Sequence, residues 1–259
     1  MLMRKFLVGL LFAAGLMACA SAPEVEPAPA RAEAAELEQN FYQRMTDLHA
    51  SAESGDVSSR QQYIDRVMSN MADSNAPMLF AAAQFALQQQ ALEDAAFLFY
   101  AGRLRVAADR YSYELKDPQI DNILKNMAAN LGSQINPLIM QRPGAYAAVV
   151  SRLYGWDMAR ADAYNPGWSG AMRVSAEQQN QYAAELKAIA LSEMDALVFL
   201  LNIPAYYQAF VTVQSYNRLS EQDRVIQENI DIVQAAMKTM SEIEEREGVY
   251  VFSQVPRPQ

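Results

Sequence analysis

The chain has 259 residues, 51% apolar and 20% charged, with 30 acidic against 21 basic side chains and a formal charge of −9. That is enough apolar material for a sizeable core, while no apolar run is long enough for a membrane-spanning helix. A chain this acidic is repelled by nucleic acid and by anionic membranes. One His and one Cys are too few for a zinc cluster or a disulfide framework.

Residues 1–18 read as an export signal peptide: Arg4 and Lys5, an apolar stretch from Phe6 to Leu16, then small residues before Cys19. Losing it would lower the basic residues from 21 to 19 against 30 acidic ones, moving the charge from −9 to −11. The tetrapeptide Leu16-Met17-Ala18-Cys19 resembles the lipobox of bacterial lipoproteins, in which an apolar, a variable and a small residue precede the Cys that is acylated. Met17 stands where that family usually has a small or branched residue. The resemblance implies diacylation of Cys19 and a membrane anchor through that lipid. With Ala20 rather than Asp after the Cys, it also implies an outer-membrane protein facing the periplasm. Ordinary cleavage after Ala20 is the alternative, because Ala18-Cys19-Ala20 also fits a small-x-small site. A lone Cys favours lipidation, since an unpaired thiol is a liability in an oxidising compartment.

Residues 19–31 hold Pro23, Pro27 and Pro29 and little to bury, which predicts a disordered tether. It would reach about 40 Å at about 3.1 Å per residue. From Ala32 the pattern turns helical: Leu37, Phe41, Met45, Leu48 and Ala52 share one face, and Ser54-Gly55-Asp56 ends it. A second helix carries Tyr63, Ile64, Val67, Met68 and Met71. Asn75-Ala76-Pro77 caps a third, to about Gln90, and a fourth runs from about Leu92 to Leu115. Asp117-Pro118 opens a helix that Gly132 should stop, with Pro137 and Pro143-Gly144 breaking the next stretch into short pieces. A helix from about Ala145 to Ala163 leads into the loop Tyr164-Asn165-Pro166-Gly167-Trp168. Ser175 and Gln178 have capping-box spacing and start a helix to Leu201; Pro204 starts another through Tyr206, Phe210 and Tyr216. Ser220 should cap the last helix, whose stripe is Val225, Ile226, Ile230, Val233, Met237, Met240 and Ile243, ending at Gly248. Only Val249-Tyr250-Val251-Phe252 has a strand-like pattern.

The expected fold is all-α, eight or nine helices in antiparallel hairpins packed as a bundle or short superhelix. It would occupy residues 32–248, with 249–259 as a tail.

Within it, Leu79, Ala82, Ala83, Ala86, Ala95, Phe99 and Gly102 resemble a single tetratricopeptide repeat over residues 79–102. The small residues allow two helices to cross closely around Phe99. That repeat's terminal Pro would fall at Ala107, and no second copy follows 34 residues on. The run FLFYAGRLR at 97–105, the segment Leu131-Gly132 to Asn136 and Trp156-Asp157 resemble uncharacterised bacterial proteins, a likeness that brings no activity with it.

Two clusters are candidate partner contacts. Tyr100 and Arg103 lie on the aromatic and arginine-rich helix, where Arg103 and Arg110 share a face and could grip a carboxylate; the competing reading is a core helix whose arginines neutralise neighbouring acids. Trp156, Asp157, Tyr164, Asn165 and Trp168 gather at a helix end and loop, where aromatics either anchor a partner or plug gaps between helices.

No catalytic, cofactor or metal site is evident. His49 has no G-x-S-x-G serine to serve. Glu36, Glu38, Glu242, Glu244 and Glu245 lack metal-site spacing and read as solvated helix faces. Lytic transglycosylases include helical lipid-anchored proteins with one catalytic Glu, but Glu53-Ser54 is the sole Glu-Ser pair and the following G-L-M-Q element is missing. The sequence therefore points to a non-catalytic module that binds an envelope protein, as an assembly factor or an immunity-like factor. A single-carboxylate peptidoglycan hydrolase is the alternative.

Overall fold

The computed structural model describes residues 43–160, 164–168 and 170–251, which hold helices and no strand. The leader, Cys19, the tether, Leu37, Phe41 and the tail from Phe252 lie outside these residues. Residues 43–53 form α1, followed by α2 (Val57–Ser69), α3 (Ala76–Gln88), α4 (Leu92–Ser112), α5 (Pro118–Ile139), α6 (Pro143–Gly155), α7 (Ala176–Leu201), α8 (Pro204–Asn217), the single-turn α9 (Glu221–Arg224) and α10 (Gln227–Glu247). None of the described helices is long and apolar enough to cross a membrane by itself.

The helix starts follow side-chain chemistry. Asp56 accepts hydrogen bonds from the Ser58 and Ser59 amides at 3.2 and 3.0 Å, Asn75 from Met78 at 3.1 Å and Asp117 from Gln119 at 2.8 Å. At α7 the Ser175 hydroxyl accepts from the Gln178 backbone amide while the Gln178 side-chain Oε1 accepts from the Ser175 backbone amide, at 3.2 and 3.0 Å. Each satisfies donors that the first turn leaves open.

Helix α4 is buried on nearly every side, from Ala95 to Ser112, which makes it central. It packs against α3, α5, α6 and α7, which makes the body a bundle around α4. Contacts between non-consecutive helices are what separate this from a superhelix of stacked pairs. The outlying pair α8 and α10 joins it through α7. Between α3 and α4, Leu79, Ala82, Ala83, Ala86, Ala95 and Phe99 are fully buried. Gly102 lies so close that a Cβ would sit 2.7 Å from the Phe80 ring.

Several expectations are corrected. Helix α5 passes through Gly132 and Pro137 and ends at Ile139. Gly132 faces the Phe99 ring, where a Cβ would sit 3.1 Å from Cζ, so it serves close packing and not termination. Pro137 stands in the last turn, where the N–H it lacks costs one bond near an end that frays in any case. Helix α4 ends at Ser112, three residues short of Leu115, because Glu114 instead donates its N–H to the Ala171 carbonyl at 2.9 Å.

Helix α6 stops at Gly155, well before Ala163. There Trp156 turns inward and Lys187 of α7 donates to the Tyr154 and Trp156 carbonyls, filling acceptors that another helical turn would have used. Ser220 caps only α9, and α10 begins anew at Gln227. The Asp223 and Arg224 carbonyls accept from Asn229 Nδ2 and the Tyr216 hydroxyl at 2.7 and 2.8 Å, which interrupts the ladder. Val225 and Ile226 are consequently exposed instead of continuing the stripe. Val249 and Val251 rest half-buried against the core with no strand partner.

Candidate functional site

Two of the aromatic residues at 156–168, Trp156 and Tyr164, come together around a residue on α4. Arg105 is fully buried, with its guanidinium 5.2 Å from the Trp156 ring and 5.2 Å from the Tyr164 ring. Its Nη1 donates to the Met158 carbonyl at 3.0 Å and its Nη2 to the Met71 carbonyl at 2.9 Å. One side chain thus ties α4 to the turn after α2 and to the segment after α6. A guanidinium suits this because its fork donates in two directions while its faces stack on rings.

One helical turn further, Asp109 is 0% exposed. Arg160 Nη2 donates to one carboxylate oxygen at 2.7 Å and the Tyr164 hydroxyl to the other at 2.5 Å. Arg160 also lies 5.1 Å from the Tyr164 ring and 5.7 Å from the Tyr113 ring, with Nη1 3.3 Å from Ser112 Oγ. Burial pushes the Asp109 carboxyl up to about 6, against the opposing pull of Arg160, Tyr164 and Arg105. Withdrawal from water disfavours the charged form, and the neighbouring cations offset part of that cost.

The loop is fastened at both ends. Asn75 Nδ2 donates to the Asn165 carbonyl at 3.2 Å. The Glu114–Ala171 bond and a bond from the Arg173 amide to the Ser112 carbonyl at 2.8 Å join it to the end of α4. At Gly170 a Cβ would collide with the Glu114 carbonyl oxygen. Gly170→Ala is therefore expected to separate the two chain segments and lower stability by about 3 kcal/mol, through the same overpacking that penalises enlarged core side chains. Chemical denaturation of the variant checks this, and an unchanged midpoint would show that the loop moves aside freely.

Trp156, Tyr164 and Trp168 are each less than a tenth exposed. Trp156 and Tyr164 share the Arg105 cluster, and Trp168 follows Gly167, whose Cα lies against Asn75 and Pro77. Tyr100 and Arg103 are not brought into this group. Tyr100 is buried toward α5 and donates to Asn136 Oδ1 at 3.0 Å; Arg103 is half-buried with its guanidinium 5.6 Å over Phe99. Arg110, on the face expected to grip a partner carboxylate, instead pairs with Asp121 of α5.

The acid that needed neutralising is Asp109, and Arg105 and Arg160 do it. Arg105 and Asp109 stand four residues apart on one helix, a spacing that places them on the same face. Arg160 carried no such signal, because its partner is distant in sequence.

Two other acids matter. Glu244 is a correction: it is 1% exposed and not solvated, accepting from the Tyr206 hydroxyl at 2.9 Å and so linking α8 to α10. Glu53 is exposed, 3.9 Å from His49 Nδ1. His49 lies at the boundary, its ring 5.5 Å from those of Tyr63 and Phe85. Among the described residues no cluster of three His, Cys, Asp or Glu side chains is placed to hold a metal.

A surface cleft of about 570 Å³ opens between α5 and α8, with Leu87 of α3 also in its lining. Ser133, Gln134, Pro137 and Leu138 form one wall and Gln214, Asn217 and Arg218 the other. Amides and a serine at helical surface positions have no motif, which is why sequence reasoning missed it. Set against protein-family models, curated proteins and solved structures, the chain matches none of them.

Proposed function

We propose that the protein is an outer-membrane-anchored lipoprotein of the periplasm that binds another protein and catalyses no reaction, as an envelope assembly or immunity-like factor. Leu16-Met17-Ala18-Cys19 supports the anchor. The observation that carries the binding role is where the polar chemistry lies. Asp109, Arg105, Arg160 and Glu244 are buried and hydrogen-bonded between helices, where no substrate reaches them. The cleft between α5 and α8, which is open to solvent, is lined by neutral amides, a serine, apolar side chains and one arginine. Such a lining holds a ligand but offers neither a general base nor an activated nucleophile.

Fractionation and turnover assays test both halves. The wild-type chain is expected to take up labelled fatty acid and sediment with outer membranes, whereas Cys19→Ser does neither, since the acyl chains supply most of the attachment. The purified protein is expected to release no soluble fragments from cell wall. Sedimentation of Cys19→Ser with an unlabelled wild type contradicts the anchor; release of muropeptides contradicts the non-catalytic reading and favours the hydrolase.

A further inference from the structure

Resting on that protein-binding reading, we propose that the cleft between α5 and α8 is the docking site, and that it takes an extended segment of the partner carrying an apolar side chain beside a carboxylate. The Gln214 and Asn217 side chains line it and make no hydrogen bond among the described residues. Each offers one acceptor and a pair of donors, the same groups that an extended peptide backbone presents. On the opposite wall Pro137 has no N–H to close on the Ser133 carbonyl, which removes one helical claim on that acceptor.

Apolar contact comes from Leu87, Pro137 and Leu138, the last 44% exposed at the rim. Arg218 is the one charged residue in the lining, and its only described hydrogen bond is a long one, from Nη2 to the Pro137 carbonyl at 3.5 Å. Its remaining donors suit a carboxylate. The chain's overall charge of −9 disfavours a longer acidic run, which limits the segment to an isolated acid. A glycan fits less well, since no aromatic face lines the cleft for a sugar ring to stack on.

The test uses the labelled full chain on an array of immobilised decapeptides that pair Leu or Met with a neighbouring Asp or Glu, with Lys-substituted copies and muropeptides alongside. Retention on the acidic peptides is expected, falling tenfold or more for Leu138→Asp and for Gln214→Ala. Arg218→Glu should move the preference to the Lys copies, which loss of folding cannot do. Melting curves identify any variant that unfolds, and Gln214→Ala is the mildest of the three. Equal retention by the wild type and all three variants overturns the cleft while leaving the protein-binding reading intact. No peptide retained also overturns it, and retention on muropeptides alone overturns both.

Discussion

Arg160→Ala is expected to cost about 3 to 5 kcal/mol at pH 7.5, the usual penalty for leaving the other half of a buried ion pair without its partner. Arg160 and Asp109 are 5% and 0% exposed, so water cannot take over the role of the guanidinium. The variant's pH dependence identifies the cause. The Asp109 carboxyl is raised to about 6 in the folded protein, above its ordinary value. Its contribution to stability is therefore fully present at acid pH and is lost as pH rises through about 6. Removing Arg160 removes one of the pulls that hold the carboxyl down, so its folded value rises further. The cost of the mutation should accordingly be greatest at pH 7.5 and shrink toward pH 5, where Asp109 takes up a proton and no longer needs the cation. Urea denaturation of both proteins at the two pH values measures this. A cost that stays constant, or grows on acidification, would mean that lost packing around Tyr113 and Tyr164 is responsible.

Phe99→Ala is expected to cost about 3 to 5 kcal/mol as well, through lost transfer energy and the cavity left behind. The Phe99 ring is fully buried, 6.3 Å from the Phe80 ring and 5.1 Å from that of Tyr100, with Gly132 of α5 against its edge. Three helices meet on it, and each of these neighbours is too constrained to collapse inward. Arg103, half-buried above the same ring, is the control. Arg103→Ala should cost clearly less than Phe99→Ala, because Arg103 is half-buried and its removal opens no cavity inside the core. A similar loss in both variants would mean that Arg103 is as deeply integrated as Arg105.

Sequence patterning made the all-α class legible because helix starts depend on local chemistry: Asn75, Asp117, Ser175 and Pro204 sit where the first turns begin. Helix ends were harder, since they depend on distant partners. Nothing near Gly155 announces that Lys187 will take the Tyr154 and Trp156 carbonyls, and nothing near Ser112 announces Ala171. Gly132 misleads for a related reason: a close approach to Phe99 and a helix stop look identical in one dimension. The charged network was half visible. Arg105 and Asp109 share a turn of one helix, whereas Arg160 and Tyr164 reach them only after α6 and a loop have folded back. Glu244 sits within an acidic segment that reads as solvated until Tyr206 is placed beside it. The cleft was not legible at all, because it is a property of two surfaces brought together.

The central claim is that this is an anchored module that binds a protein through the cleft between α5 and α8, and site-specific photo-crosslinking in intact cells tests it most directly. A photoreactive phenylalanine replaces Leu138 at the cleft rim or, as a control, Lys238 on the exposed side of α10, 77% exposed at its side chain. The predicted result is a discrete adduct of the mature chain with an envelope protein from position 138, absent from position 238 and lost in Arg218→Glu. No protein adduct from position 138, or equal adducts from both positions, would contradict it.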